Sequence, residues 1–167
     1  DDYVNVPTAA HPTGSEVSVA FWSKGAVGLS KNYLVYSSSG TRVLTVHLPW
    51  NDVTWDVGNQ GGSYDRISKN ASAAEVAGSW VHWTFTKNAT TGFMNIYHNG
   101  ALWHSAGGKT RTMPATNTFD MLHIGGTSNS GWDWEGTLDE FRMYDHALSA
   151  SEVSALASMG GAGAPEP

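Results

Sequence analysis

Cysteine is absent from the 167 residues, which excludes disulfides, zinc–thiolate centres and cysteine nucleophiles. Charge is scarce: Asp, Glu, Lys and Arg make up 14% of the chain, and the net charge is −6. Nine basic residues on an acidic chain are a poor match for a phosphate backbone, so no nucleic-acid partner is expected. No apolar run approaches the ~18–20 residues that span a bilayer, so no membrane insertion is expected. The opening Asp1-Asp2-Tyr3-Val4 reads as a polar turn entering a strand, as expected of a chain whose signal has been removed or of a domain of something longer.

What the chain does hold is glycine, tryptophan and short alternating segments. Val17, Val19 and Phe21 alternate with Ser18, Ala20 and Trp22. Val43–Leu48, Val53–Val57, Trp80–Thr86, Phe93–His98, Met121–Ile124 and Leu138–Tyr144 continue the pattern. Period-two alternation of β-branched and aromatic residues, punctuated by Gly, Asn and Ser, predicts strands. Asn99-Gly100 between two such runs predicts a tight hairpin, because both turn positions need positive φ. A single helix is expected at the end. Ser149-Ala150-Ser151-Glu152 is a capping-box sequence ahead of Val153, Leu156 and Ala157, and Gly160-Gly161 stops it. Many short antiparallel strands and one peripheral helix predict an all-β, two-sheet sandwich. Residues 58–79, 104–118 and 125–136 are expected to be long loops. Residues 1–158 are expected to form the domain, and the Gly/Ala/Pro-rich residues 159–167 a linker or tail.

Three blocks resemble the bacterial laminin G-like branch of the concanavalin A-like lectin/glucanase superfamily. The opening Asp1–Pro7 resembles its first strand. Trp80–Thr86 followed by Met94–Gly100 resembles its central hairpin. Gly136-Thr137-Leu138-Asp139-Glu140-Phe141-Arg142-Met143-Tyr144, running on to Ser149, resembles its closing strand and helix entry. The resemblance implies an antiparallel jelly roll with one convex and one concave sheet. It also implies a secreted or cell-surface recognition module, and commonly one structural calcium ion at the edge of the sandwich. Asp139 sits at the matching position of the last strand, with Asp1 and Asp2 as the N-terminal ligands. Calcium takes six to eight oxygen ligands, which carboxylates and carbonyls supply. The competing reading has Asp139 capping a turn or pairing with Arg142.

Eight tryptophans exceed what core filling needs. Indole and phenol rings stack on the apolar faces of sugars, while Asn, Asp, Arg and His bond the hydroxyl rim. Alternation assigns Trp83 to the core and puts Trp22, His47, Trp80 and His82 on polar faces that could line the concave sheet. Trp50, Trp55, Tyr64, Arg66, Trp132 and Trp134 are the candidate ligand-binding residues, expected to gather into a solvent-facing aromatic platform for a polysaccharide or other glycan. The alternative partner is a surface protein held by the same loops.

No catalytic residue is nominated. Retaining glycanases need two carboxyl groups about 5–5.5 Å apart. Neither Glu135–Glu140 nor Asp52 and Asp56 has the strand spacing of such an enzyme, although a hydrolase or lyase of the same fold stays open as an alternative. The seven His are dispersed without short metal-ligand spacing.

Overall fold

A computed structural model describes residues 3–26, 33–48, 52–126 and 133–160. Eleven strands are described: β1 (Val4–Asn5), β2 (Glu16–Gly25), β3 (Tyr33–Ser39), β4 (Thr41–His47), β5 (Asp52–Gln60), β6 (Ser63–Asn70), β7 (Val81–Asn88), β8 (Phe93–His98), β9 (Ala101–Ala106), β10 (Met121–Ile124) and β11 (Gly136–Tyr144). Helix α1 spans Ala73–Val76 and α2 spans Ala150–Ser158. The strands form a six-stranded sheet, β1-β10-β3-β4-β5-β6, and a five-stranded sheet, β11-β2-β7-β8-β9. Every ladder is antiparallel. This is the expected two-sheet jelly-roll sandwich.

Side chains along a strand alternate between faces, and the register aligns apolar rows across neighbours. Val46, Trp55 and Ile67 form one row of the six-stranded sheet; Phe21 and Trp83 pair on the five-stranded sheet. These residues are buried together between the sheets with Val19, Leu44, Phe85, Ile96 and Leu122. Fully burying side chains of this size stabilises by roughly 1.5–3 kcal/mol each.

The expectation of a loop over residues 58–79 is corrected. β5 continues to Gln60, Gly61-Gly62 makes the turn, and β6 returns to Asn70. Both glycines have positive φ, 62° and 78°, so the pair supplies the backbone conformation that a tight turn requires. β6 escaped prediction because its exposed positions are polar and its inward ones include Asp65. β3 was likewise not predicted. The Asn99-Gly100 hairpin stands as expected, with φ of 49° and 81°. Helix α2 also stands: Ser149 Oγ accepts from Glu152 N, and the Glu152 carboxylate accepts from Ser149 N. Val153 and Leu156 of this helix pack with Leu148 on Ala20 and Tyr97. The helix therefore covers part of the outer face of the five-stranded sheet.

One ion pair lies in the core. Lys87 of β7 donates to Asp65 of β6 at 2.6 Å, with both side chains nearly inaccessible. It joins strands of different sheets. Arg111 closes the pair from outside, donating its backbone N–H and Nη1 to Asp65 at 2.8 Å each. Burial pushes the Asp65 carboxyl up, but the bonds from Lys87 and Arg111 outweigh it and hold the group below the ordinary carboxylate value. Burial also pulls the Lys87 ammonium down, the opposite of what pairing alone would do. Three donors converge on the Asp65 carboxylate and hold it ionised.

Lys87→Met leaves Asp65 short of a buried partner and should cost about 3–5 kcal/mol in urea unfolding, while Lys87→Met with Asp65→Leu should recover most of the loss. An unchanged Lys87→Met midpoint would refute the staple. Burial lowers the His11 and His82 imidazoles from 6.5 to about 4; the Pro12 carbonyl, which accepts from His11, offsets only part. The folded state thus refuses protons that the unfolded chain binds between these values. Their contribution is complete above pH 6.5 and is lost as pH falls toward 4. Thermal unfolding across that window should show the decline, and His82→Gln should flatten it.

Candidate functional site

Because Val53, Trp55 and Val57 take the core side of β5, its alternate residues Asp52, Thr54 and Asp56 face outward. Registration places Thr45 and Arg66 on either side of Asp56, and His47 and Ser68 on either side of Thr54. Asp56 is fully buried although it lies on an outer face. Its carboxylate accepts from Arg66 Nε and Nη2 at 2.7 and 2.8 Å, from Arg42 Nη1 at 3.0 Å and from Thr45 Oγ1 at 2.9 Å. Arg42 also donates to the Tyr64 and Tyr33 hydroxyls at 3.2 and 3.0 Å. The Tyr64 ring lies against both guanidinium groups, with centroid distances of 5.1 and 5.5 Å. His47 Nε2 stands 3.9 Å from Asp56.

Arg42, His47, Asp52, Thr54, Tyr64, Arg66 and Ser68 line a cavity of about 320 Å³. The hydrogen bonds to Asp56 raise the Arg66 pKa further, so its charge is permanent. Arg66 grips Asp56 through its Nε–Nη2 edge and remains about half exposed, its side chain at 47%. Such a group cannot swing away without leaving a buried carboxylate short of a partner. The cavity therefore presents fixed donors rather than mobile surface arginines.

A second cavity, about 590 Å³, lies where Tyr3 and Val4 meet β11. Ile124, Trp134, Leu138 and Phe141 give it apolar walls, and Asp139 and Glu140 line it too. Between Asp139 and Arg142 the ladder bulges, and Glu140 takes φ 54°. Asp139 Oδ1 accepts from Glu140 N at 2.8 Å, and the Glu140 carboxylate pairs with Arg142. Arg142 therefore serves Glu140. Among the described residues no three His, Cys, Asp or Glu side chains cluster as a metal site.

The predicted binding residues divide. Tyr64 and Arg66 come together in the first cavity, on a strand rather than in a loop. Trp55 is corrected: it is wholly buried, registered between Val46 and Ile67, and its Nε1 donates to Thr86 O at 3.3 Å. Trp134 is also corrected. It is 9% exposed, packs on the core and lines the other cavity. Trp50, Trp132, Asp1 and Asp2 lie outside the described residues. Trp22 and His82 pair on the five-stranded sheet, whereas His47 belongs to the six-stranded one, so they do not share a face. The described indoles form no common platform.

Sequence reasoning missed Arg42. Strand parity groups it with the inward Leu44 and Val46, but β4 bulges against β3, where Ser37 faces Leu44 and Ser38 faces Arg42. The extra residue turns Arg42 outward, and nothing in the local sequence marks that shift.

Two packed antiparallel sheets with a helix on one outer face and a charged cavity on the other define a concanavalin A-like jelly-roll domain. The chain belongs to the laminin G-type family of the concanavalin A-like lectin/glucanases superfamily, whose model matches residues 1–154. No curated protein matches it by sequence. Among solved structures, it is similar to the binding domain of botulinum neurotoxin serotype G, with 17% identity and a TM-score of 0.72 over 94% of this chain and 40% of that one. The binding domain of Paraclostridial Mosquitocidal Protein 1 is 20% identical, with a TM-score of 0.68 over 87% of this chain and 37% of that one. A structure of botulinum neurotoxin type C, whose cell entry is dependent upon interaction with two ganglioside molecules, is 17% identical, with a TM-score of 0.66 over 87% and 36%. The chain spans about two fifths of these structures or less, and at such identities the likeness shows the fold.

Proposed function

We propose that the protein is a non-catalytic glycan-binding module of an exported protein, and that the sugar sits in the cavity of Arg42, Tyr64 and Arg66. The observation that carries this reading is the bracing of those three side chains on the buried Asp56. Donors fixed before the ligand arrives do not lose side-chain freedom on binding, and rigidity of this kind raises affinity without adding contacts. The similar structures are binding domains, which accords with recognition rather than turnover. So does the setting of Asp56, whose oxygens are taken up by Arg42, Arg66 and Thr45.

Affinity electrophoresis through polysaccharide gels, joined to a glycan array, tests the reading. The wild type should be retained by at least one glycan. Arg66→Lys keeps a counter-charge for Asp56 but loses the planar fork, and retention should weaken by about tenfold. Retention unaffected by Arg66→Lys would put the site elsewhere. Capture of a protein partner that survives removal of its glycans would move the function to protein recognition.

The proposal includes a structural calcium at the β1–β11 edge. In its support, the larger cavity brings Tyr3 of the N-terminal segment beside Asp139 and Glu140. The fit is partial. Two carboxylates fall short of the six to eight oxygens calcium takes, so main-chain carbonyls together with Asp1 and Asp2 would have to complete the set. Calcium at about a hundred times its Kd should add about 2.7 kcal/mol and raise Tm by about 5–10 °C. Asp139→Asn should abolish the rise. An equal rise in the variant, or none in the wild type, would remove calcium from the proposal.

A further inference from the structure

We infer that the sugar held in the Arg42–Tyr64–Arg66 cavity is an uncharged one, recognised through neighbouring hydroxyl groups by Arg66 and Asp52 together. The inference rests on the glycan-binding reading above and adds the class of ligand.

The charge balance of the cavity comes first. Its wall carries two guanidinium groups, Arg42 and Arg66, and one carboxylate, Asp52. Asp56, on which both arginines converge, lies directly behind them. The formal charges of Arg42, Arg66, Asp52 and Asp56 sum to zero. The cavity is thus not an anion trap, although two arginines beside each other would suggest one.

The donors and acceptors left over come next. Three of the five Arg42 donors are used: Nη1 serves Asp56 and Tyr64, and one Nη2 hydrogen serves Tyr33. Arg66 uses only Nε and Nη2, both on Asp56. Its Nη1 makes no hydrogen bond among the described residues, and its side chain is half exposed. Asp52 faces the same cavity four residues before Asp56, on the same side of β5. Among the described residues its side chain makes no hydrogen bond either, and its charge adds to the rise of the Arg66 pKa. An open donor and an open acceptor therefore line the same cavity. A hydroxyl both donates and accepts, so two adjacent hydroxyls on one ring answer the pair: one accepts from Arg66 and the other donates to Asp52.

Charged sugars answer it less well. A carboxylate or sulfate placed on Arg66 would meet the Asp52 charge, and an ammonium placed on Asp52 would meet Arg66. Like charges brought together in a partly desolvated cavity oppose binding. The size agrees with a local site: about 320 Å³ is at the small end of ligand pockets, which fits one or two rings rather than a long stretch of chain.

The experiment is affinity electrophoresis of the wild type, Asp52→Asn and Arg66→Lys. The neutral gels contain galactomannan, xyloglucan or β-glucan, the acidic ones polygalacturonate, and sialylated oligosaccharides serve as soluble competitors. Asp52 is half-buried on an outer face, so Asp52→Asn should fold normally, and an unchanged Tm verifies that. The expected result is retention by a neutral gel that changes less than about twofold between about 50 and 500 mM salt. Asp52→Asn should weaken it by about tenfold, and the acidic competitors should not displace it. Retention confined to polygalacturonate, or displacement by sialylated oligosaccharides, with steep weakening in salt and tightening in Asp52→Asn, would overturn the inference while leaving the glycan-binding reading intact. Neutral retention indifferent to Asp52→Asn would overturn the role of Asp52 and with it the inference. No retention on any gel and no signal on the array would overturn both.

Discussion

Two carboxylates, Asp56 and Asp65, are held away from water on adjacent strands, and the arrangement of the molecule's charge follows from that constraint. A buried ionised carboxylate must be answered by cations and hydrogen bonds or it destabilises the fold. Arg42 and Arg66 answer Asp56, while Lys87 and Arg111 answer Asp65. Four of the nine basic residues in the chain are thereby committed to two positions. Asp56 points away from the core and Asp65 into it, since they stand on opposite faces of the six-stranded sheet. One carboxylate thus braces the outer face, and the other ties that sheet to its partner and to the segment carrying Arg111.

The asymmetry between the two outer faces follows from the chain's end. After β11, Leu148 and the capped helix α2 fold back over Ala20 and Tyr97, and Gly100 lets the β8–β9 turn pass close beneath the helix. A Cβ at Gly100 would come within 3.2 Å of Ala157 Cβ. That part of the five-stranded sheet is consequently occupied by the protein itself. Among the described residues no such element covers Arg66, which leaves a polar face open on the other sheet.

Much of the fold was legible in the sequence because alternation, Asn-Gly turns and capping boxes are local signals. Val17–Trp22, Trp80–Thr86 and Ser149–Glu152 each carry their own instruction. β6 was not legible, because its inward Asp65 and outward Tyr64, Arg66 and Ser68 break the apolar alternation on which strand recognition depends. Asp65 becomes acceptable inside the sandwich only once Lys87, 22 residues away, is opposite it, and no local reading supplies that partner. The site was half legible for the same reason. Tyr64 and Arg66 declared themselves by type, whereas Arg42 depends on a bulge and Asp56 on the cations of two neighbouring strands.

The tryptophans make the complementary point. Composition suggests a surplus of indoles for ligand stacking, yet Trp55 and Trp83 fill the space between the sheets and Trp22 packs edge-on against His82. Trp103 stands edge-on to Trp83, covered by Lys69 at 4.2 Å from its ring and held by Glu75 through its indole N–H. A sandwich with few charged residues needs large side chains to fill its interior and rim, and indole does both because its N–H can find a partner at the edge. The aromatic count in such a chain therefore reports the packing problem before it reports a ligand. What singles out a site is the pair of guanidinium groups fixed on a carboxylate that cannot reach water, since core packing has no need of Arg66 half exposed on the outer face.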